Sequence, residues 1–366
     1  MKIIVASAQF PPTKSGYARV AGNLAEQFKS RGHTVLPLTE GSGCTRFGRV
    51  PVLNAQGRAI MRGGADIVQV IGPSPIFTEE VVWYARRLSI PIVYYINAFA
   101  GLATYYRGAV PALVDQIYSR TAYRVTLRQI RAAIFNTQDF AKHFPMYHVP
   151  WQVIPSGTSD PCLARACPDR VTSPRLGDAL RILYAGQLRR AKGVETLLSA
   201  TRRLTLSGRP VHLTIVGGGP LRSKLEQLVR DLDLREIAEF RGAVDDDQLH
   251  QEYLENDVLV MPSLLGDSFG IVLVEGGIHG IQIVASDLPG VREVVREFSG
   301  HLVPPGDVDA LAATLRAIPT TPRGTRTFNP TLAHKFSWER IADEYLTVYH
   351  QLLDPSNSFP GATPTD

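Results

Sequence analysis

The stretch "DVLVMPSLLGDSFGIVLVEGGIHGIQIVASD", residues 257–287, decides the fold class. Its two ends, "DVLVMPS" and "QIVASD", are short runs rich in β-branched residues, and a helical pattern lies between them. Strand, helix and strand in this order predict two parallel strands joined by a crossover helix. The loop "LLGD" then follows the carboxyl end of the first strand, which is the edge where such sheets bind ligands.

The same alternation continues along the chain and predicts an α/β protein with two doubly wound, Rossmann-like domains. The 366 residues are too many for one ordinary domain, and 44% of them are hydrophobic, so each half can bury a core. The strands predicted in the first half are "KIIVASA", "TVLPLT", "ADIVQVIG", "PIVYYIN", "AAIFNT" and "WQVIPS". Those predicted in the second half are "LRILYAG", "VHLTIVG", "IAEFRG", "DVLVMPS" and "QIVASD".

Composition along the chain predicts where the domains divide. Residues 157–178 are rich in Pro, Gly and Ser without periodicity, which is typical of a linker. The first domain then covers residues 1–156, and the second covers residues 179–336. The pattern "FSWERIADEYLTVYHQLL" predicts an amphipathic helix over residues 337–353, which we assign to the first domain, and residues 354–366 form a tail. Two such domains should face a central cleft.

The cysteines and the hydropathy of the sequence indicate the cellular compartment of the protein. No apolar run approaches the length of a membrane span, and "MKIIVASAQF" is typical of a first strand and not of a signal peptide. The three cysteines lack the spacing of a metal site. The sequence therefore predicts a reduced, cytoplasmic protein, with peripheral association to a membrane left open by its charge.

The positive charge is concentrated in the first half. Residues 1–155 contain 17 Lys and Arg against 7 Asp and Glu, although the whole chain carries a net charge of only +5. Four arginines at spacings of four, four and three predict one basic face on a helix: Arg120, Arg124, Arg128 and Arg131. That face is either solvated or directed at an anionic membrane surface or an acidic acceptor. Nucleic acid is disfavoured, because no recognised binding module accompanies the charge.

Two carboxylates flank the predicted helix start within the opening stretch. Asp267 lies in the loop and Glu275 lies eight positions later, about two turns into the helix. Ser268 can cap a helix that runs from about Phe269 to His279. The amides of its first turn, together with the helix dipole, would form an anion site. Those amides belong to Gly270, Ile271 and Val272.

This arrangement resembles the signature of the retaining glycosyltransferases of family four, which have the GT-B fold. The resemblance covers nearly the whole chain, is strongest over residues 181–350, and continues through "HGIQIVASDLPGVREVV" and "SGHLVPPGDVDALAATL". The family has a Glu, seven residues and a second Glu, and Asp267 stands where the first Glu is expected. The resemblance implies that Asp267 holds hydroxyls of the donor sugar and that Glu275 holds the ribose, with the amides between them on phosphate.

The loop in "YAGQLRRAKGVETLLSA" is the expected place for cations. A departing diphosphate develops negative charge, so catalysis needs cations and N–H donors there. Lys192 is in register with the Lys-Gly of the family, whereas Gln187 stands where the family commonly has Arg. Arg189 or Arg190 would then supply a second cation. The catalytic residues implied are Asp267, Lys192 and Glu275.

The remaining loops complete the expected donor site. By resemblance, the glycine cluster in "LTIVGGGPLRSKLEQL" lines the cleft, and the turn from Arg241 to Val244 contacts the nucleobase. In the first domain, Gly16 either admits the donor phosphates or belongs to a simple capping turn. The donor-binding residues predicted in this way are Gly16, Asn97, Gly186, Gln187, Arg190, Lys192, Gly218, Arg241, Val244, Asp267, Ser268, Phe269, Gly270, Ile271 and Glu275.

A strand end in the first domain carries the last of these predictions. Family members commonly have a His near Asn97; an amide can hydrogen-bond a sugar hydroxyl but cannot act as a general base. A nearby aromatic cluster is a candidate lining for the acceptor pocket, although about half of it should be core. Its members are Tyr94, Tyr95, Phe99, Tyr105 and Tyr106.

Together these features predict a retaining, metal-independent glycosyltransferase without a cofactor. Its co-substrate would be a UDP- or GDP-sugar, and its acceptor the hydroxyl or amine of a small molecule, a glycan or a lipid-linked compound in glycoconjugate or natural-product biosynthesis. The family expectation is front-face attack, in which the leaving phosphate takes the acceptor proton. Two alternatives stay open: a nucleotide-sugar epimerase or hydrolase of the same fold, and a non-catalytic relative that only binds the sugar nucleotide.

Overall fold

The structure is a computed structural model that describes residues 1–13, 15–47, 50–72, 74–97, 112–144, 149–158, 179–320, 329–354 and 356. The chain divides into two compact units. The first contains residues 1–157 and 338–366, and the second contains residues 158–337. The sequence had predicted a first domain of residues 1–156, joined by the helix 337–353, and a second domain of residues 179–336. The predicted linker lies mostly outside the described residues, and so does the predicted tail.

The described strands of the first unit form one sheet in the order β4-β3-β2-β1-β5-β6-β7-β8. Neighbouring strands are parallel except for β3 and β4. Because β2 and β5 pair on opposite sides of β1, the sheet is doubly wound, as the sequence predicted. The strands are β1 (Lys2–Ala6), β2 (Thr34–Glu40), β3 (Gly43–Phe47), β4 (Val50–Leu53), β5 (Ile67–Ile71), β6 (Ile92–Ile96), β7 (Ala132–Phe135) and β8 (Trp151–Val153).

The antiparallel pair β3 and β4 was not predicted. Its sequence, "GCTRFGRVPVL", has glycines and arginines in place of an alternating apolar pattern, so it does not read as two strands. The pair extends the edge of the sheet, where Gly43 packs closely against helix α2. A Cβ on Gly57 of that helix would lie 1.8 Å from the carbonyl oxygen of Gly43.

Helices cover the sheet of the first unit. The described helices are α1 (Gly16–Ser30), α2 (Ala55–Arg62), α3 (Phe77–Arg87), α4 (Ala112–Arg120), α5 (Ala122–Leu127), α6 (Gln138–Lys142) and, from the end of the chain, α14 (Trp338–Leu353). The four-residue spacing of Val20, Leu24 and Phe28 buries one face of α1, as predicted. Gly32, with φ of 80°, follows the end of this helix in the left-handed conformation.

The terminal helix α14 belongs to the first unit because its apolar face completes that unit's core. Tyr345 and Tyr349 are buried against Phe28 of α1, with ring centroids 6.5 and 5.6 Å from it. The hydroxyl of Tyr349 donates to Oε1 of the buried Gln69 at 2.7 Å. The amphipathic helix predicted from the sequence is therefore confirmed, and it packs on α1 and β5.

One prediction in this unit was wrong. Arg120, Arg124, Arg128 and Arg131 are all exposed, but they do not share one helix, because the chain breaks at Thr121 between α4 and α5 and Arg131 leads into β7. Tyr94 and Tyr95 are both fully buried, since helices cover both faces of the sheet, and this agrees with the expectation that about half of the aromatic cluster is core. The other members of the proposed aromatic cluster lie outside the described residues.

The described strands of the second unit form a sheet in the order β11-β10-β9-β12-β13-β14, and every neighbouring pair is parallel. The strands are β9 (Leu180–Ala185), β10 (Val211–Val216), β11 (Ala238–Gly242), β12 (Val258–Met261), β13 (Gln282–Ser286) and β14 (His301–Val303). The first five were predicted. The chain leaves β9 toward β10 on one side and later returns to β12 on the other, so the topological switch point lies between β9 and β12.

Helices cover this second sheet as well. Those described are α7 (Val194–Leu206), α8 (Arg222–Asp231), α9 (Asp246–Glu255), α10 (Ile271–Ile278), α11 (Val291–Glu297), α12 (Val308–Ala317) and α13 (Pro330–Lys335). A short 3-10 helix, Arg190–Lys192, precedes α7. Among the helices within the described ranges, none is long and apolar enough to cross a membrane.

Candidate active site

Three loops meet at the carboxyl edge of the second sheet, where the strand order reverses. The loop after β9 is hydrogen-bonded to the loop after β10, with Leu188 N donating to Gly218 O at 3.0 Å. It is also bonded to the loop after β12, since Leu264 N donates to Ala191 O at 2.8 Å. Parallel α/β sheets bind their ligands at this position. Backbone hydrogen bonds therefore hold the candidate site together before any side chain is considered.

Two glycines allow these loops to approach one another. Gly193 has φ of 64°, and a Cβ placed on it would lie 2.0 Å from the carbonyl oxygen of Pro262 in the loop after β12. Gly217 has φ of 129°, and its Cβ would lie 1.8 Å from the carbonyl oxygen of Gly186. A residue with a Cβ would be strained at these positive φ values, and its Cβ would clash with the neighbouring carbonyl oxygen. These glycines fix the distance between the loop that carries Lys192 and its neighbours.

We expect Gly193→Ala to lower the free energy of unfolding by about 2–5 kcal/mol. The left-handed backbone contributes about 1–2 kcal/mol and the forced separation from Pro262 about 1–3 kcal/mol. Gly208→Ala is the matched control, because Gly208 has φ of 77° but a Cβ there would meet no atom within 4 Å. Calorimetric unfolding should show a larger loss for Gly193→Ala; equal losses would contradict the role of close approach.

Lys192 and Asp267 lie together at the switch point. The Nζ atom of Lys192 is 2.5 Å from Oδ1 of Asp267, and Oδ2 of Asp267 accepts a hydrogen bond from Ser263 Oγ at 2.5 Å. The two charged side chains retain 29% and 16% of their exposure, so both are shielded but reachable. Sequence analysis placed both residues in the site, but it did not predict that they form an ion pair or that Ser263 supports them.

Tyr184 supports this pair from beneath. Its side chain is buried, and its hydroxyl donates to the carbonyl oxygen of Gln187 at 2.8 Å, which shapes the start of the Lys192 loop. Burial, and then the negative charge of Asp267, raise the pKa of Tyr184 far above its ordinary value. The phenol therefore stays neutral and keeps its role as a donor. The side chains of Gln187 and Arg190 are exposed on the loop.

The helix that follows Asp267 begins later than predicted. Its N-cap is Gly270, with φ of 82°, and α10 starts at Ile271, so the prediction that Ser268 caps the helix was wrong. Phe269 is only 5% exposed and packs in the core with Phe336, at 6.2 Å between ring centroids. The side chain of Phe269 thus belongs to the core, and its contact with the donor stays a prediction. Leu273 N already donates to Gly270 O at 2.9 Å. The amides of Ile271 and Val272, which precede it in the first turn of α10, are therefore the candidates for binding an anion at this loop.

Glu275 is buried inside the second unit, which the sequence did not predict. It is 3% exposed, and its two carboxylate oxygens accept from Thr158 Oγ1 at 3.3 Å and from Tyr253 Oη at 2.8 Å. Both partners are hydroxyl groups, the chemistry that a ribose also presents. The signal in the sequence was the position of Glu275 within the apolar run "IVLVEGGI", since a buried carboxylate requires hydrogen-bond donors.

Two glycines in α10 pack against the rest of the unit. A Cβ on Gly276 would lie 2.7 Å from Leu259 of β12, and one on Gly277 would lie 2.3 Å from the ring of Phe298. Glycine in a helix costs about 1 kcal/mol relative to alanine. The close packing that the two glycines allow offsets that cost. It also brings the helix turn that carries Glu275 against β12.

The charged residue of the turn that was predicted to contact the base, Arg241, forms ion pairs within the second unit. Arg241, at the end of β11, forms ion pairs with Glu239 at 2.9 Å and with Glu252 at 3.3 Å. Val244 is half-buried and packs on the same core cluster as Phe269. The side chain of Arg241 is thus engaged within the unit, while the backbone of the turn from Gly242 to Val244 follows the carboxyl end of β11.

Two predicted donor contacts lie in the first unit and are described there alone. Gly16 is the first residue of α1, whose N-cap is Ser15 with its Oγ accepting from Ala18 N at 3.1 Å. A Cβ on Gly16 would meet no atom within 4 Å, so packing does not require glycine at this position. Asn97 follows β6 and hydrogen-bonds the buried hydroxyl of Tyr95, whose pKa burial raises to about 12. The capping turn is thus present, and Asn97 lies at the carboxyl edge of the first sheet.

Within the described residues, no group of three or more His, Cys, Asp or Glu side chains is arranged to hold a metal ion. Metal independence of the reaction stays a prediction. The candidate site of the second unit thus consists of the Lys192–Asp267 pair, the N-terminus of α10 and the buried Glu275 with its two hydroxyl partners.

We expect Glu275→Gln to weaken binding of the free nucleoside diphosphate at least about tenfold. The substitution removes a charged acceptor, whose hydrogen bonds contribute about 1.5–3 kcal/mol each. Tyr253→Phe keeps the carboxylate and removes one of its protein donors, so a smaller loss is expected. Titration calorimetry with UDP and GDP measures both. An unchanged affinity in Glu275→Gln would exclude contact between this residue and the nucleotide.

Comparison with known proteins agrees with this fold. Residues 169–327 match the family model "Glycosyl transferases group 1", which covers most of the second unit. The chain is 35% identical over 205 residues to the phosphatidyl-myo-inositol mannosyltransferase of Mycobacterium leprae, an overlap of 54% of this chain and 52% of that protein. The chain spans about half the length of the curated relatives it matches. Over residues 169–327 the chain is thus similar to the group 1 glycosyltransferases.

Solved structures extend the likeness to both units. The sucrose-phosphate synthase of Thermosynechococcus elongatus superimposes with a TM-score of 0.75 at 20% identity, over 96% of this chain and 99% of that one. The Anabaena protein HepE in complex with UDP-glucose gives a TM-score of 0.69 at 17% identity, over 95% and 99% of the two chains. At these identities the likeness shows the fold alone. The fold is GT-B, with two Rossmann-like domains, as predicted from the sequence.

Proposed function

We propose that the protein is a retaining glycosyltransferase that moves a sugar from a nucleoside diphosphate sugar to an acceptor hydroxyl or amine. The observation that carries this proposal is the ion pair of Lys192 and Asp267 at the switch point, next to the N-terminus of α10. A cation and unsatisfied amides suit a diphosphate, and a shielded carboxylate suits sugar hydroxyls. One loop system offers both kinds of group within a few ångströms.

The roles of the residues follow from the charge changes during transfer. The bond between the anomeric carbon and the diphosphate oxygen breaks, and negative charge develops on the leaving group. Lys192 and the first-turn amides of α10 stabilise that charge, which requires no proton transfer from the protein. The acceptor oxygen bonds to the anomeric carbon on the same face, and its proton passes to the leaving phosphate.

Asp267 and Glu275 act on the neutral parts of the donor. Asp267 accepts hydrogen bonds from hydroxyls of the sugar while Ser263 keeps its carboxylate in place. Glu275 accepts from the ribose, and the hydrogen bonds from Thr158 and Tyr253 orient its carboxylate. A UDP-sugar is the first donor to test, because HepE, which has the same fold, was solved with UDP-glucose. A GDP-sugar remains a second candidate, since no described side chain identifies the base.

A non-catalytic sugar-nucleotide-binding protein is the second candidate. It is favoured by three departures from the family pattern: Asp267, Gln187 and Asn97. The ion pair of Lys192 and Asp267 suits either candidate, because a cation also binds the phosphates of a donor that is not turned over, so turnover distinguishes the two.

The test of retention follows the sugar released from an α-linked donor. Proton NMR of wild-type protein with UDP-α-glucose should show α-glucose before mutarotation produces the β anomer. Release of the β anomer first would contradict the retaining mechanism. If every nucleotide-sugar tried binds to the protein but none releases its sugar, the non-catalytic alternative is favoured.

A further inference from the structure

The first unit carries an exposed surface that the proposed donor site does not use. It is formed by α3, α4 and α5, and we call it the α3–α5 surface. Large apolar side chains stand out from it: Trp83 is 48% exposed, Ile117 54% and Val125 55%. A single exposed apolar side chain is ordinary, whereas several on helices that pack together are typical of an interaction site.

Contacts among the three helices show that α3, α4 and α5 are neighbours. Tyr118 of α4 donates from its hydroxyl to Glu79 Oε1 of α3 at 2.6 Å. Glu79 lies one helical turn before Trp83, and Tyr118 is adjacent to Ile117. The ring of Tyr118 also lies 6.2 Å from that of Tyr123 in α5. The three exposed apolar side chains thus come from helices that pack against each other.

The charge of this surface is positive, because its helices and their ends carry five arginines against Glu79, Glu80 and Asp115. The guanidinium of Arg87 lies 4.8 Å above the ring of Trp83. A cation therefore stands next to the exposed tryptophan. The carboxylates of α3 point inward, since Glu79 accepts from Tyr118 and Glu80 accepts from Leu53 N at 2.7 Å. The arginines exposed on these helices or at their ends are Arg86, Arg87, Arg120, Arg124 and Arg128.

We propose that the α3–α5 surface docks on an anionic phospholipid bilayer. Guanidinium groups attract lipid phosphates, tryptophan prefers the interface, and Ile117 and Val125 can enter the boundary of the acyl chains. A second copy of the chain is a poorer occupant, because opposing copies of this face would bring arginines together. Nucleic acid is also poorer, since the exposed aliphatic side chains would gain nothing from phosphates.

The inference stands on the first unit alone and is independent of the donor site. The test is co-sedimentation of the full chain with vesicles of phosphatidylcholine, alone or with about one third phosphatidylglycerol. We expect binding to the anionic vesicles only. Trp83→Ser with Ile117→Ser should reduce it about tenfold or more, and Arg120→Gln with Arg124→Gln about fivefold per arginine.

Matched controls separate the surface from overall charge and exposure. Arg230→Gln with Arg235→Gln changes the net charge equally, and Leu206→Ser removes a leucine that is 69% exposed, all in the second unit. Neither control should alter vesicle binding. Equal losses in controls and surface variants, or equal binding to neutral vesicles, would overturn the proposal.

A second readout depends on Trp83 itself. Lipids brominated in their acyl chains should quench part of the tryptophan fluorescence of the wild type and none of it in Trp83→Phe, because Trp338 is buried and Trp151 half-buried. Absence of quenching in the wild type would overturn the proposal. UDP affinity, measured without vesicles, should be unchanged in every surface variant, so failure here is distinct from failure of the donor site.

Discussion

Lys192→Ala is expected to lower the turnover number at least about a hundredfold, which corresponds to about 2.7 kcal/mol of transition-state stabilisation. The substitution removes the cation at the leaving diphosphate. It also leaves the carboxylate of Asp267, 16% exposed, without the partner that lies 2.5 Å away. That carboxylate would then repel the negative charge that develops, so both effects act in the same direction.

The matched control is Lys224→Ala, which removes a lysine of the same unit. Lys224 is 69% exposed and pairs with Glu195 at 2.7 Å on the surface, where ion pairs contribute little. Its turnover should stay within about twofold of the wild type. Retention of more than half the wild-type rate in Lys192→Ala would exclude Lys192 from the reaction.

Asp267→Asn is expected to cost about 1.5–3 kcal/mol of transition-state stabilisation, or about 10–150-fold in kcat/KM. The amide can still hydrogen-bond, but it loses the charge that holds Lys192 and the second strong acceptor for sugar hydroxyls. Steady-state rates on several donors would measure this. Unchanged turnover would mean that the carboxylate has no role at the sugar.

Asp267→Glu separates an adapted site from a vestigial one. The longer side chain places its carboxylate about 1.5 Å further out, whereas a good hydrogen bond tolerates only a few tenths of an ångström. Because Ser263 and Lys192 already hold the shorter acid at 2.5 Å, we expect glutamate to displace one of them and to lower activity with the natural donor. Improved turnover in Asp267→Glu would contradict this.

The ion pair also predicts coupling between the two substitutions. Residues in direct contact give non-additive effects of about 0.5–3 kcal/mol. The double variant Lys192→Ala with Asp267→Asn should therefore lose less than the sum of the single losses, because removal of the acid relieves the repulsion left by removal of the lysine.

The sequence predicted most of the fold because its strands and helices have regular apolar patterns. The strand at 257–263 and the helix after it were recognisable, and the sheet edge that carries Lys192 and Asp267 follows from their positions after β9 and β12. The 2.5 Å contact between them did not follow, since it depends on the left-handed turn at Gly193 and on the hydrogen bond from Leu264 to Ala191. Periodicity carries no information about such turns.

The errors have local causes as well. The arginine spacing predicted one helix, but Tyr118 and Tyr123 both pack inward although five positions separate them by about 140° on an unbroken helix. The break at Thr121 lets both rings face the core. Ser268 has the preferred chemistry of a cap, yet the positive φ of Gly270 starts the helix two residues later.

Glu275 illustrates what no local pattern can predict. Its partner Thr158 precedes it by 117 residues and comes from the start of the second unit. The apolar residues around Glu275 are a signal of burial from which no prediction was made, and only the fold identifies the two hydroxyl donors. Sequence reasoning therefore located the residue and missed its environment.

The most direct test of a nucleotide-sugar transferase site at the switch point is release of nucleoside diphosphate from UDP- and GDP-sugars in the absence of acceptor. We expect the wild type to hydrolyse at least one donor slowly and Lys192→Ala to do so at least about a hundredfold more slowly. Epimerisation of the sugar at C2 would instead indicate an epimerase of the same fold. Tight binding of donors without turnover, or equal rates in the two proteins, would contradict the assignment.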